Sequence, residues 1–239
     1  MEIAPGLHSV NLLGARGFVA CERELTLIDT GLPGSRRRLE RYLAPLGRSL
    51  GELRRIIVTH AHPDHVGAVR ELAADNDAEV LMHPADLAAL RVTLREAWTE
   101  RDRGKLLAFL SRTPHAAEPA EDGDELPALG GLRVIHTPGH TPGSICLYAP
   151  RHRLLFTGDM LQVIRGKVTF ASSVFSADIV QARASVARLA ALDVQTIAFA
   201  HYPPWTDDAN GVLAALAARA ASMSAKAAGG STQPRGHDA

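Results

Sequence analysis

The sequence predicts an α/β protein made of sheet and helix layers, and three observations predict it. Short apolar, β-branched runs recur along the chain, each ending near Gly, Pro or Asp as strands do. Segments with an apolar stripe at helical spacing fall between them. Two runs, Leu25-Thr-Leu-Ile-Asp-Thr-Gly31 and Arg153-Leu-Leu-Phe-Thr-Gly-Asp159, share one form, an apolar strand closing on an acid and a glycine. That pair hints at two related halves.

In chain order, strands are expected at Leu7 to Leu13, Phe18 to Cys21, Leu25 to Ile28, Ile56 to Val58 and Val80 to Met82. The second half repeats them at Leu132 to Ile135, Ile145 to Tyr148, Leu154 to Phe156 and Thr196 to Phe199. Short turns join the early strands, so part of each sheet is expected to be antiparallel. A helix over Ser35 to Leu46 places Leu39, Tyr42, Leu43 and Leu46 on one face. A second, over Pro63 to Ala74, carries Val66, Val69, Leu72 and Ala73. A third, over Asp178 to Leu192, has Ser176 as its expected N-cap. The Ala-rich stretch Asp207 to Ala228 forms a last helix with Leu213, Leu216 and Ala220 along a stripe. These elements form one domain over residues 1–228, and 229–239 is expected to be a frayed tail. A charged, mostly helical insertion over about 84–114 interrupts the strand rhythm, as an extra layer or a cap over a site.

Composition narrows the partners. The chain has 239 residues, 46% apolar and 22% charged, with zero net charge when its histidines are neutral. Nothing in that balance favours nucleic acid or an anionic membrane, and Arg36-Arg37-Arg38 and Arg54-Arg55 read as solvated faces. No apolar run is long enough to span a bilayer, and Met1 to Gly6 lacks the pattern of a signal peptide. Cys21 and Cys146 lie in or beside apolar strands and are expected to be buried thiols, although sequence alone leaves a disulfide open. The cytoplasm is the expected compartment, a small molecule the expected partner, and the 84–114 stretch a candidate surface for pairing two copies.

The chemistry concentrates in His60-Ala-His62-Pro-Asp64-His65, four metal-binding side chains on one loop after the strand Ile56 to Val58. Such a cluster is costly unless a cation compensates it. Further candidates follow later strands: His136 and His140 in His136-Thr-Pro-Gly-His140, Asp159 in Thr157-Gly-Asp159, and His201. Each sits just past a strand end, where a sheet gathers residues along one edge. His136 lies at its strand's end and is read as structural or as a support behind the ligands. Asp29 is expected to orient a ligand imidazole. His8, His83, His115, His152 and His237 read as surface or satisfied core positions.

Thr59-His60-Ala61-His62-Pro63-Asp64-His65, followed in order by His140, Asp159 and His201, resembles the metallo-β-lactamase superfamily of hydrolases over roughly residues 7 to 205. The resemblance implies an αββα sandwich, two mixed sheets face to face with helices outside. It implies two divalent ions, zinc foremost and manganese or iron as alternatives. His60, His62 and His140 would hold the first, Asp64, His65 and His201 the second, and Asp159 would bridge them. The pairing of His65 with Asp64 and the bridging Asp159 look like the glyoxalase II and lactonase branches. The implied reaction is hydrolysis of a thioester, lactone or similar bond by a hydroxide shared between the metals, with Asp64 orienting it and passing a proton to the leaving group. A mononuclear iron persulfide dioxygenase and a phosphodiesterase or nuclease of the same fold are the alternatives. Substrate choice is expected from Gly14 to Gly17, Pro84 to Thr113 and Leu161 to Ser176. Tyr202 and Trp205 are candidate pocket residues.

Overall fold

A computed structural model describes residues 1–74, 76–90 and 117–229. Among them, seven strands form the first sheet in sequential order: β1 (Glu2–Ala4), β2 (Leu7–Asn11), β3 (Arg16–Cys21), β4 (Leu25–Ile28), β5 (Leu53–Val58), β6 (Glu79–Met82) and β7 (Glu118–Pro119). The first four pair antiparallel through short turns, and β4 to β7 pair parallel. Helices lie between the parallel strands: α1 (Arg36–Leu43), α2 (Pro63–Val66), α3 (Val69–Ala73) and α4 (Pro84–Leu90). The second sheet comprises β8 (Glu125–Leu126), β9 (Leu132–His136), β10 (Ile145–Ala149), β11 (Leu154–Phe156) and β14 (Thr196–Ala198) in the order β14-β11-β10-β9-β8. A hairpin of β12 (Leu161–Ile164) and β13 (Lys167–Phe170) stands beside it. Two long helices complete the fold, α5 (Ile179–Leu189) and α6 (Ala209–Gly229).

The period-2 alternation of strands sorts side chains into three apolar layers. In β5, Ile57 faces the second sheet, while Ile56 and Val58 face helices α1 to α3. Between the sheets, Leu7, Phe18 and Ile28 meet Val134, Leu147 and Phe156, and the rings of Phe18 and Phe156 cross edge to face at 5.1 Å. On the far side, Cys146, Leu155 and Ile197 pack against Val186, Leu189, Leu213 and Leu216 of α5 and α6. The architecture is therefore the αββα sandwich.

Three local expectations need correction. The helix expected over Pro63 to Ala74 is broken at Gly67 and Ala68. There the Ala68 N–H donates to Gly31 O and Thr30 Oγ1. The N-cap of α5 is Asp178, whose carboxylate accepts from the Val180 and Gln181 amides, and Ser176 serves elsewhere. Leu161 to Ser176, expected as a loop, holds the β12–β13 hairpin, with Arg165 and Gly166 both at positive φ in its two-residue turn. Of the 84–114 insertion only Pro84–Leu90 lies within the described residues, and it is helical. Cys21 and Cys146 are free thiols, and burial pushes Cys146 up to about 12. Among the described residues no helix is long and apolar enough to cross a membrane.

Helix α5 is tied to the end of β9 by Arg188. Its guanidinium donates to His136 O and to Asp122 Oδ2, and Asp122 Oδ1 accepts from the His136 amide. The Arg188 hydrogen bond holds the Asp122 carboxyl below its ordinary pKa. Both side chains are exposed enough for water to screen the pair, so we expect Asp122→Asn to cost about 0.2–1 kcal/mol at pH 7. Because the folded-state pKa is depressed, this contribution is present above the unfolded carboxyl value and disappears as pH falls through the folded one. Urea unfolding of both proteins at neutral and acidic pH should show the gap closing on acidification.

Candidate metal centre

The ligand candidates come from both sheets and meet along one edge. His60, His62, Asp64 and His65 follow β5, with His62 preceding the first turn of α2. His140 lies in the β9–β10 loop, Asp159 after β11 and His201 after β14. The Ile145 amide donates to Thr59 O and the Arg16 amide to Ala200 O, so the ligand-bearing ends of the two sheets are stitched directly. Two glycines permit the close approach. A Cβ on Gly158 would stand 2.8 Å from Thr59 Oγ1, and one on Gly139 would stand 2.1 Å from the Ala182 amide nitrogen. Both carry positive φ, which glycine adopts without strain.

All seven predicted ligands fall into two groups: His60, His62, His140 and Asp159; and Asp64, His65 and His201. In the first, His62 Nδ1 is 3.2 Å from His60 Nε2 and 3.0 Å from His140 Nε2. Asp159 Oδ2 is 3.5 Å from His140 Nε2 and 4.0 Å from His60 Nε2. The other Asp159 oxygen, Oδ1, turns to the second group, 3.2 Å from His201 Nε2 and 3.5 Å from His65 Nε2. Asp64 Oδ2 completes that group, 3.4 Å from His201 Nε2 and 3.9 Å from His65 Nε2.

These spacings fit cations. Donors bound tetrahedrally at about 2.0–2.1 Å lie about 3.3–3.4 Å from one another. Three imidazole nitrogens sharing one point, as His60, His62 and His140 do, cannot satisfy each other with the few protons they carry. The buried atoms His65 Nε2 and Asp159 Oδ1 make no hydrogen bond of good geometry among the described residues, close as their imidazole and carboxylate neighbours stand. Such orphaned atoms are expensive unless a bound ion takes them up. Histidine with carboxylate suits zinc, manganese and iron.

The surrounding shell fixes the rings. Asp29, in a left-handed conformation at φ 57°, accepts from the Thr59 amide and hydroxyl. Its Oδ2 lies 2.8 Å from His65 Nδ1, which leaves Nε2 aimed into the centre. Ser176 donates to Ser172 O, so its oxygen accepts from His140 Nδ1 at 3.2 Å and likewise leaves Nε2 free. One organiser was not foreseen. Asp86, in α4 and fully buried, accepts from the Ala61 amide at 2.7 Å, the Thr141 hydroxyl at 2.7 Å and the Gly143 amide at 2.6 Å. It clamps the His60–His65 loop to the His140 loop. His136 touches no ligand; its ring stacks on His83 and its Nε2 lies 2.9 Å from Pro142 O.

Burial and charge divide the two groups. Burial foremost, then neighbouring imidazoles, lowers His60 well below its ordinary pKa; burial also lowers His62, and brings His140 to about 4. Neutral imidazoles are what a cation needs as ligands. Burial alone would lower His65 too, but Asp29 and Asp159 outweigh it and raise it well above the usual value. Contact with Asp159 raises His201. Burial would raise Asp159, yet the charge of His65 and the contact with His201 hold it well below the carboxylate range.

The centre opens into a cavity of about 940 Å³ lined by Leu161, Gln162, Ser172, Val174, Phe175 and Tyr202 beside the ligands. Tyr202 thus faces the site as expected. Trp205 does not line it: its backbone pairs with Ile197 and its indole donates to Asp207 O.

An αββα fold carrying histidine–aspartate groups at the shared sheet edge defines a class of metal-dependent hydrolases. Residues 17–201 match the family model described as metallo-beta-lactamase superfamily, and the chain belongs to that family. It is 28% identical over 232 residues to the probable metallo-hydrolase YflN of Bacillus subtilis, covering 86% of this chain and 87% of that one. It is 34% identical over 182 residues to a hydroxyacylglutathione hydrolase of Pseudomonas paraeruginosa, covering 74% of this chain but 56% of that enzyme. The fold superposes on the metallo-beta-lactamase family protein TTHA1429 of Thermus thermophilus with a TM-score of 0.73 at 24% identity, over 95% of this chain and 81% of that one.

Replacing Asp29 by Asn or Asp86 by Ala should each weaken zinc binding about 10- to 100-fold in chelator competition, because each removes support from a ligand loop. Asp86→Ala also strands three polar groups. It should cost about 2–4 kcal/mol in chemical denaturation. Asp29→Asn tolerates the same left-handed backbone and should cost less.

Proposed function

We propose that the chain hydrolyses an ester-like bond of a small molecule, a thioester, lactone or similar, at a centre of two divalent ions, zinc foremost. The observation that carries this reading is the Asp159 carboxylate, which turns one oxygen to each ligand group. His60, His62 and His140 would hold one ion, Asp64, His65 and His201 the other, and Asp159 both. Bound there, the ions supply water deprotonated near neutral pH and polarise the substrate carbonyl.

The protein's part is positional. Asp29 and Ser176 hold His65 and His140 with Nε2 presented inward. Asp64 lines the cavity, partly exposed, with Oδ2 3.4 Å from His201 Nε2. With Oδ2 turned to the ligand group, its other carboxylate oxygen, Oδ1, is left to take the proton from the attacking water and deliver it to the leaving alkoxide or thiolate. The water oxygen adds to the carbonyl carbon, the acyl–oxygen or acyl–sulfur bond breaks, and the leaving group departs protonated. No serine or cysteine nucleophile is required: Cys146 is buried between β9 and β11, far too basic to be a thiolate at pH 7. The relative named as a hydroxyacylglutathione hydrolase supports thioester chemistry, although the match spans 56% of that enzyme.

Elemental analysis of the purified chain should find about two zinc ions per molecule, and the loaded enzyme should turn over thioesters or lactones. Asp159→Ala should lose at least one ion and about 10²-fold or more in kcat. Full two-metal occupancy in that variant would refute the bridging role. A single iron with oxygen consumption on persulfides, or turnover confined to phosphodiesters, would replace the reading.

A further inference from the structure

The cavity wall carries information about the acyl half of the substrate. Val174 and Phe175 are 81% and 69% exposed, and both line the cavity that holds Asp64, Asp159 and His201. Large apolar side chains are seldom left in water side by side without a ligand or partner to cover them. Here they sit in the loop between β13 and α5, and Pro63, Leu161 and Tyr202 line the same cavity. The polar groups of the wall away from the ligands are neutral, Gln162 and Ser172, and among the described lining residues no Lys or Arg is present. The charged lining groups are the carboxylates and imidazoles of the centre. A volume of about 940 Å³ is at the upper end of small-molecule sites, about 300–1,000 Å³, and exceeds what a short acyl group fills.

Resting on the ester-bond reading above, we propose that the site selects substrates with an extended apolar acyl chain, which lies against Val174, Phe175 and Leu161 while its carbonyl reaches the ligand groups. Away from the centre itself, the carboxylates of an anionic conjugate such as a glutathione thioester would find no described Lys or Arg on the wall to receive them. The recognition loop is also wired to the centre. Ser176, the residue after Phe175, orients His140, and Ser172 O anchors Ser176. Phe175 is therefore a specificity residue on the segment that holds a ligand ring.

The test is a series of straight-chain acyl thioesters of N-acetylcysteamine, from acetyl to dodecanoyl, with S-lactoylglutathione as the charged competitor, on the zinc-loaded enzyme. We expect kcat/KM to climb roughly two- to fourfold per added methylene until the cavity is full. S-lactoylglutathione should be the poorer substrate. Phe175→Ala should flatten that climb through KM rather than kcat, with metal content intact. A flat series, or preference for S-lactoylglutathione, would overturn the acyl proposal while leaving the hydrolase reading in place. Absence of turnover at every length, and on the matching N-acyl homoserine lactones, would instead remove the hydrolase reading. The pocket is then decided by binding: a dansyl-labelled undecanoate should bind and be weakened about tenfold or more by Phe175→Ala, and equal binding to both proteins would overturn the proposal.

Discussion

The structure depends on one electrostatic constraint: seven titratable side chains from both sheets converge on a single edge, with Asp159 between the two halves of the set. Imidazoles and carboxylates at 3.0–4.0 Å compete for the same few protons and leave lone pairs unused unless cations take them. Everything near the edge serves to hold that arrangement. Gly139 and Gly158 let backbones approach where a side chain would collide. Asp29 and Asp86 bind the loops from behind, one through His65 and the other across the His60 and His140 loops.

The sandwich supplies the rigidity such a centre needs. Its candidate ligands follow β5, β9, β11 and β14, elements pinned by an inter-sheet core and by helices on both outer faces. A displacement of any one strand end would be resisted by the apolar layers on both faces of its sheet. The substrate side is different: Val174 and Phe175 sit on a loop with exposed side chains, where apolar surface is available for recognition without disturbing the core.

The candidate ligands that the structure gathers were legible in the sequence because their chemistry is local. His60, His62, Asp64 and His65 lie within one loop, and His140, Asp159 and His201 each follow an unmistakable apolar strand. The strands were readable for the same reason: β4 and β11 fall where the apolar runs place them. Asp86 was not readable, since its partners are 25, 55 and 57 residues away and no local pattern marks it. Ser176 was read by proximity as a helix cap, a role that Asp178 fills because its carboxylate reaches two free amides. The β12–β13 hairpin carries a weak local signal, four residues on either side of the Arg165-Gly166 turn. The break at Gly67 was hidden because the apolar stripe of Val66, Val69 and Leu72 continues across it.

The most direct test of the central claim is anomalous scattering from crystals of the zinc-loaded protein at the zinc edge. The account predicts two separate peaks, one within His60, His62 and His140 and one within Asp64, His65 and His201, with the Asp159 carboxylate touching both. One peak, or two that both leave Asp159 without contact, would contradict it.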